Sequence, residues 1–527
     1  MRIDRLGVTI AGGVLLATGL LSGGFSGSRA MAEDLLPPPM QPGTVISEGQ
    51  IEDAIAAVDG IAQDIMRRSG IPGMAVVVVR DGETVFAKGY GVRKVGEEAA
   101  VDADTVFQLA SLSKSVSGTV VAHAVGEGLV TWDTPLVEHL PWFELSEPWV
   151  GDHVTIGDMF SHRSGLPAHA GDHLEDIGFD RQEILERLRF VPLNSFRNTY
   201  AYTNFGLTAG GEAVAAAAGT DWASLAEETV FKPLGMNATS YRFDDFVARE
   251  NRALGHSKVG DAWQPKYVRQ PDAQAPAGGV SASANDFGKW LAMVVAEGGD
   301  LIPQEALLPA IQSQMISGAM PSPAARPGLY GFGFGTGVDA SGRVSISHSG
   351  AFAMGTGTHF ALLPLDGVAI GVLTNASPVG AAEAVGHTFI DLVEFGEQER
   401  DWYAAYAPRM EALSAPVGEL VGATPPTDPS GPGMDDQLLG TFENDYYGPI
   451  EIADDGNSLV VKLGPKPMVY PLTHWDGRTY VFEPRDENNP DGSISKLTFS
   501  PAEPRALATE VTVEFLNSNG LGTFTRN

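Results

Sequence analysis

The chain has 527 residues, 43% hydrophobic and 19% charged, with a formal net charge of −32 and no cysteine. These figures describe a folded protein of two or three domains, repelled by nucleic acid and by anionic membrane surfaces. Without cysteine there is no disulfide, no thiol nucleophile and no lipid attachment through an N-terminal cysteine.

At the N-terminus Arg2 and Arg5 precede the apolar stretch "LGVTIAGGVLLATGLL", and Ala30-Met31-Ala32 is a small-x-small site. The pattern predicts a signal peptide over residues 1–32 and a periplasmic or secreted protein with no stable membrane insertion after cleavage. An uncleaved anchor is the other reading of the same stretch. After the Pro-rich "LLPPPMQPG", "SEGQIEDAIAAVDGIAQDIMRR" predicts a helix behind a serine cap. "GMAVVVV", a turn at Arg80-Asp81-Gly82 and "ETVFAKGYGV" predict a β-hairpin. Helical patterns broken by loops then run from about 105 to 275. Strands return in "GLYGFGFGTGV", "RVSISHSG", "GTHFALLPL" and "GVAIGVLTNAS", before a helix through "AAEAVGHTFIDLVEFG". Strands at both ends with helices between predict one antiparallel sheet carrying a helical insertion, an α/β (α+β) domain over 45–413. Residues 414–434 are rich in Pro and Gly and read as a linker. From 435 to 527, about eight short alternating runs predict a small all-β antiparallel barrel.

Ser-x-x-Lys occurs twice, as Ser111-Leu112-Ser113-Lys114 and as Ser493-Ile494-Ser495-Lys496. The second lies in an alternating strand pattern, where residues three apart face opposite sides. The first opens a helical pattern with Val116, Val120, Val121 and Val125, and on a helix i and i+3 share a face. Lys114 can then act as base for Ser111, provided burial or a nearby cation lowers its pKa. The bland alternative is a Ser-rich helix start capped by Ser111.

A serine nucleophile also needs a second proton carrier and an oxyanion site. Tyr202-Thr203-Asn204 stands in a loop before a helix, with a phenol to relay a proton and an amide to hold a substrate carbonyl. His348-Ser349-Gly350 ends a strand. Gly350 permits close approach of a substrate, and the Ala351 N–H can pair with that of Ser111 around an oxyanion. Ser283-Ala284-Asn285 reads better as a helix cap, and Lys94-Val95-Gly96, Lys258-Val259-Gly260 and His169-Ala170-Gly171 lie beside turns or in a Pro loop. His153, His169 and His173, with Asp152, Asp172 or Glu175, have no recognisable ligand spacing, so no metal is expected. His162 reads as holding a loop, and His474 and Trp475 as barrel core or surface.

Ser-x-x-Lys, Tyr-x-Asn and His-x-Gly in this order resemble the serine β-lactamase and penicillin-binding family, in its class C-like branch. "VFQLASLSKS", "VTIGDMFSHRSGLP", "VFKPLGMNATS", "APAGGVSASANDF" and "YGFGFG" are similar to that branch too, and "GTFENDYYGPIEI" with "LTHWDGRTYVF" resembles the small (lipocalin-like) barrel appended to many members. The resemblance implies a helical subdomain beside an antiparallel sheet flanked by helices, with the site in the cleft between them. It implies acyl-enzyme chemistry without metal or cofactor: Ser111 attacks, Lys114 and Tyr202 share the proton, Asn204, His348 and Gly350 meet the substrate, and the Ser111 and Ala351 amides hold the oxyanion. Two departures stand out. His348 replaces the lysine of class C β-lactamases, removing a fixed cation for a β-lactam carboxylate, and Thr203 stands where serine or alanine is usual. His-x-Gly is common among the family's peptidases, D-amino-acid amidases and esterases, and some exported members degrade linearised peptide toxins. The expectation is a serine hydrolase acting on small peptide or amide substrates. An esterase or β-lactamase is the alternative within the family, and a slowly acylating penicillin-binding sensor the alternative from another class.

Overall fold

The strand Gly73–Arg80 is buried on both faces along almost its whole length in the computed structural model, which describes residues 36–432 and 434–526. The signal-peptide segment lies outside these residues. Alternation along the strand divides its side chains between two cores. Met74, Val76 and Val78 pack with Val58 of the helix Gln50–Ser69 and Phe389 of the helix Ala381–Phe395. Ala75, Val77 and Val79 join the core on the other face, with Leu112, Val116, Phe287 and Trp290. Burying each valine is worth about 1.5–3 kcal/mol, so this one strand ties both layers together. Its hairpin partner is Glu83–Gly91, reached through Asp81 at φ 50° and Gly82 at φ 80°. Two consecutive positive φ angles give the tight turn whose twist suits a two-residue hairpin.

The sheet has eight strands in the order Glu83–Gly91, Gly73–Arg80, Val368–Thr374, Thr356–Leu363, Val344–Phe352, Gly335–Val338, Gly328–Tyr330 and Met315–Gly318. The first and last long segments of the domain are therefore neighbours, and the helices between them form an insertion, as the sequence pattern predicts. Three local expectations change. The Gln50–Ser69 helix has Gly49 at its N-cap in place of a serine, and the Ser47 N–H instead reaches Gln50 Oε1 at 3.1 Å. "GLYGFGFGTGV" is two short strands, because Gly333, at φ 85°, turns the chain against the Lys114 carbonyl. Met315–Gly318 adds an edge strand that the sequence pattern did not reveal.

The C-terminal segment is a nearly closed antiparallel barrel with nine strands, one more than the sequence runs suggest. Its two edge strands, Met468–Pro471 and Thr473–Asp476, are separated only by Leu472, which brings the open edges side by side. Barrel side chains such as Phe442, Tyr446 and Leu497 belong to the same continuous core as Phe179 and Leu174 of the helical region. The Pro- and Gly-rich segment touches the barrel at Val417, whose N–H donates to Ser493 Oγ at 3.0 Å and whose carbonyl accepts from Ile494 N–H at 3.0 Å. No helix among the described residues is long and apolar enough to cross a membrane.

The second Ser-x-x-Lys is split, with Ser493 ahead of the strand Ser495–Ser500 and Lys496 on it. Ser493 Oγ donates to the Pro490 carbonyl at 2.6 Å, while Lys496 pairs with exposed Glu419. Lys496→Ala should change stability by no more than about 1 kcal/mol in urea unfolding, the range of an exposed pair.

Candidate active site

Ser111 stands where the strand Val106–Gln108 passes into the helix Leu112–Gly126. Ala110, between them, has φ 49°. A left-handed alanine is strained, and strain held by a buried setting marks positions where the chain must be aimed. The bland reading of Ser111 as a helix cap fails, because its side chain makes no capping hydrogen bond. Its Oγ instead lies 3.1 Å from Lys114 Nζ.

Lys114 is fully buried. Its amine also donates to Asn204 Oδ1 at 2.7 Å and to the Ala277 carbonyl at 3.0 Å. Burial pushes its pKa down to about 7, against the opposing pull of the Asp172 carboxylate. A neutral amine has two N–H bonds and one lone pair. With both N–H groups directed at Asn204 and Ala277, the lone pair faces the Ser111 hydroxyl.

Tyr202 and Asn204 come from the start of the helix Asn204–Ala218. Thr203 is its N-cap, fully buried, and Thr203 Oγ1 accepts from Gly206 N–H at 3.1 Å. The side chain of this departure from the family pattern thus caps a helix and leaves Tyr202 and Asn204 to face Lys114. The Lys114 amine sits 4.6 Å from the Tyr202 ring centroid. Burial raises the Tyr202 phenol well above its ordinary value, partly offset by the nearby Ser111 hydroxyl.

The opposite wall is the strand Val344–Phe352. Its pairing with Gly335–Val338 ends at Ser347, so among the described residues no strand covers its edge from His348 onward. That edge meets Ser111. A Cβ at Gly350 would lie 2.3 Å from the Leu109 carbonyl oxygen and 3.0 Å from Ser111 N, so only glycine fits without displacing the backbone. Ala351 follows, exposed. His348 Nδ1 donates to the Ser349 carbonyl at 2.7 Å, so Nε2 accepts from the Tyr330 hydroxyl at 2.8 Å. Burial, then the Lys114 charge, lowers the His348 pKa to about 3. The ring is neutral, and this wall carries no fixed cation at position 348.

Four further residues complete the arrangement without having been singled out as functional by the sequence. Asp172 accepts from Asn204 Nδ2 at 3.1 Å and pairs with His169 Nδ1 at 2.9 Å. Tyr330 orients His348. His162, read as holding a loop, accepts the Thr203 N–H at 3.2 Å and packs against Tyr200, Tyr202 and Tyr330. The Ser283 alternative is a helix cap, accepting from Asp286 N–H at 3.2 Å.

The family model described as Beta-lactamase matches residues 58–395. The chain belongs to the Beta-lactamase family. A second model, a domain of unknown function (DUF3471), matches residues 432–523, the barrel. Among its relatives, an unguisins hydrolase of Aspergillus campestris is 26% identical over 74% of this chain and 75% of that protein. Penicillin-binding protein 4 of Amycolatopsis lactamdurans is 27% identical over 58% of this chain and 81% of that protein. The D-alanyl-D-alanine-carboxypeptidase/endopeptidase AmpH of Escherichia coli is 28% identical over 36% of this chain and 50% of that protein. In fold, the chain is similar to an octameric penicillin-binding protein homologue from Pyrococcus abyssi, with TM-score 0.56, 16% identity, and 87% and 98% of the two chains covered. It is also similar to a class C β-lactamase from Rhodobacter sphaeroides, with TM-score 0.52, 21% identity, and 64% and 98% covered. This Beta-lactamase-family protein is thus a serine hydrolase by kinship.

A lysine whose folded pKa is depressed binds fewer protons than in the unfolded chain between about pH 7 and its ordinary 10.5, so its contribution to stability rises across that interval. Lys114→Met lacks this dependence. Denaturant unfolding at several pH values should show wild-type stability climbing relative to Lys114→Met from pH 7 to 10, by on the order of a few kcal/mol in total.

Proposed function

We propose that this protein is an exported hydrolase that cleaves amide bonds of peptides through an acyl-enzyme on Ser111. The observation that carries the reading is the Lys114 amine, buried, 3.1 Å from Ser111 Oγ and with a pKa near 7. At neutral pH half of such amines are unprotonated and able to accept the Ser111 proton as Oγ attacks the carbonyl. The Ser111 and Ala351 N–H groups would stabilise the oxyanion, the first also favoured by its place at a helix N-terminus. On collapse, the proton held by Lys114 passes to the leaving amine, with the Tyr202 phenol beside Ser111 able to relay it. Water, deprotonated by the same amine, then releases the acyl group. Asn204, held between Lys114 and Asp172, is suited to fixing the amine, with its remaining capacity for substrate.

Amide substrates are favoured over β-lactams because neutral His348 offers no cation to a carboxylate. The printed activities of the relatives, an unguisins hydrolase and a carboxypeptidase/endopeptidase, are consistent with peptides, including unusual ones. Export rests on the N-terminal charge and hydropathy pattern of residues 1–32.

Ser111→Ala should lower turnover of a peptide anilide by about three orders of magnitude or more and abolish the fluorophosphonate adduct on the peptide containing residue 111. Retained turnover would overturn the assignment. With Lys114 as the base, kcat/KM should fall about tenfold per unit below about pH 7, because protonation removes the lone pair. His348 lies too low, and Tyr202 too high, to produce that limb.

A further inference from the structure

We infer that the barrel supplies a positioning residue for the oxyanion site: Glu487, whose carboxylate holds the turn that ends the Ala351 strand. The inference rests on the acyl-enzyme reading above. The strand Val344–Phe352 turns back into Thr356–Leu363 through Phe352-Ala353-Met354-Gly355, closed by Gly355 N–H donating to the Phe352 carbonyl at 3.0 Å. The two central N–H groups of such a turn have no partner within it. Glu487 receives both: Oε1 accepts from Ala353 N–H at 2.5 Å, and Oε2 from Met354 N–H at 3.3 Å. Two bonds from one buried carboxyl group to consecutive amides fix the plane of the turn, and burial pushes the pKa of that group up to about 8, so the grip does not depend on its charge. Ala351 is two residues away; it pairs with Gly357 on one side, while on the other no strand among the described residues covers it, so the turn sets its bearing.

The barrel loop is itself anchored to the helical wall. Asn488 Nδ2 donates to Asp176 Oδ2 at 2.6 Å. Buried Arg269 bonds Glu175 Oε2 at 2.6 Å and stands 3.9 Å from Glu487 Oε2. Its guanidinium also lies over the Phe352 ring, 5.1 Å from the centroid. Glu175 and Asp176 share a single helix, Asp172–Asp176, with the Asp172 that holds Asn204. One loop of the barrel therefore grips both sides of the cleft: the strand that offers the Ala351 amide and the helix that orients Asn204. From the second side of the turn, Ser377 Oγ donates to the Ala353 carbonyl at 2.5 Å. With the carbonyl so fixed, loss of Glu487 frees the amide side and lets the Ala351 N–H drift from its bearing. Removing an oxyanion donor costs about 10²–10³ in kcat, and a misaligned donor a part of that.

The test compares three variants of the full chain: Glu487→Ala, Glu487→Asp and Glu487→Gln. Active sites are counted by fluorophosphonate labelling, and kcat per labelled site and KM are measured on a peptide anilide. Glu487→Ala should lose about tenfold or more in kcat per labelled site with KM changed less than about threefold. Glu487→Gln keeps the reach and one acceptor, and should recover most of kcat. Glu487→Asp keeps a carboxyl group opposite Arg269 but falls short of the turn, and should resemble Ala. If Ala does not fold, the order Gln above Asp still carries the inference. Wild-type kcat per labelled site in Ala, or Asp equal to or above Gln, overturns it, because a role in stability alone lowers the number of sites and not their rate. Failure of Ser111 labelling in the wild type would instead overturn the acyl-enzyme reading itself.

Discussion

Removing one lysine amine from water is the constraint on which this site depends. In solvent, an ammonium three residues from a serine is an ordinary helix pair. Inside the protein Lys114 is fully buried, and the charged form is the one that suffers. The fold supplies what an isolated amine lacks: the Asn204 and Ala277 acceptors aim it, and Asp172, beyond Asn204, keeps its pKa from falling further. The family's first two motifs are the parts of one electrostatic device, with the carboxylate as its less visible member.

Close backbone approach is the second theme. Gly333 lies against the Lys114 carbonyl, and the Gly333 carbonyl accepts from Ser115 Oγ at 2.6 Å, so the helix bearing Lys114 is pressed onto the turn between two short strands. Gly350 does the same for Ser111. A methyl group at either place would meet a carbonyl oxygen at 2.3 Å and force helix and sheet apart by about an ångström, the distance scale that decides whether an N–H meets an oxyanion. The site is thus built by two glycines as much as by the polar side chains that line it.

What the sequence made legible follows from the range of the interactions. Ser111 and Lys114 are within one turn, and Tyr202 with Asn204 spans one loop, so local spacing carries them. The sheet was readable because valine alternation and a two-residue turn are also local signals. Asp172, Tyr330 and Glu487 act through tertiary approaches, from a short helix, a neighbouring strand and the barrel. Asp172 and Glu487 are of types common on surfaces, and Tyr330, though it opens the family-like "YGFGFG", meets His348 only through the folded sheet. The unbroken strand expected through "GLYGFGFGTGV" failed for the same reason: its break is imposed by a helix distant in the chain.

The strand Gly73–Arg80 has its inner neighbour, Val368–Thr374, at the far end of the same domain. During synthesis this segment of consecutive valines emerges long before the strand that shelters its second edge. Closing so large a loop precedes the reward of pairing, which makes assembly slow and leaves an adhesive β edge exposed meanwhile. A chain built this way gains from being kept unpaired until it is whole, a requirement that chaperones acting on the nascent chain would meet.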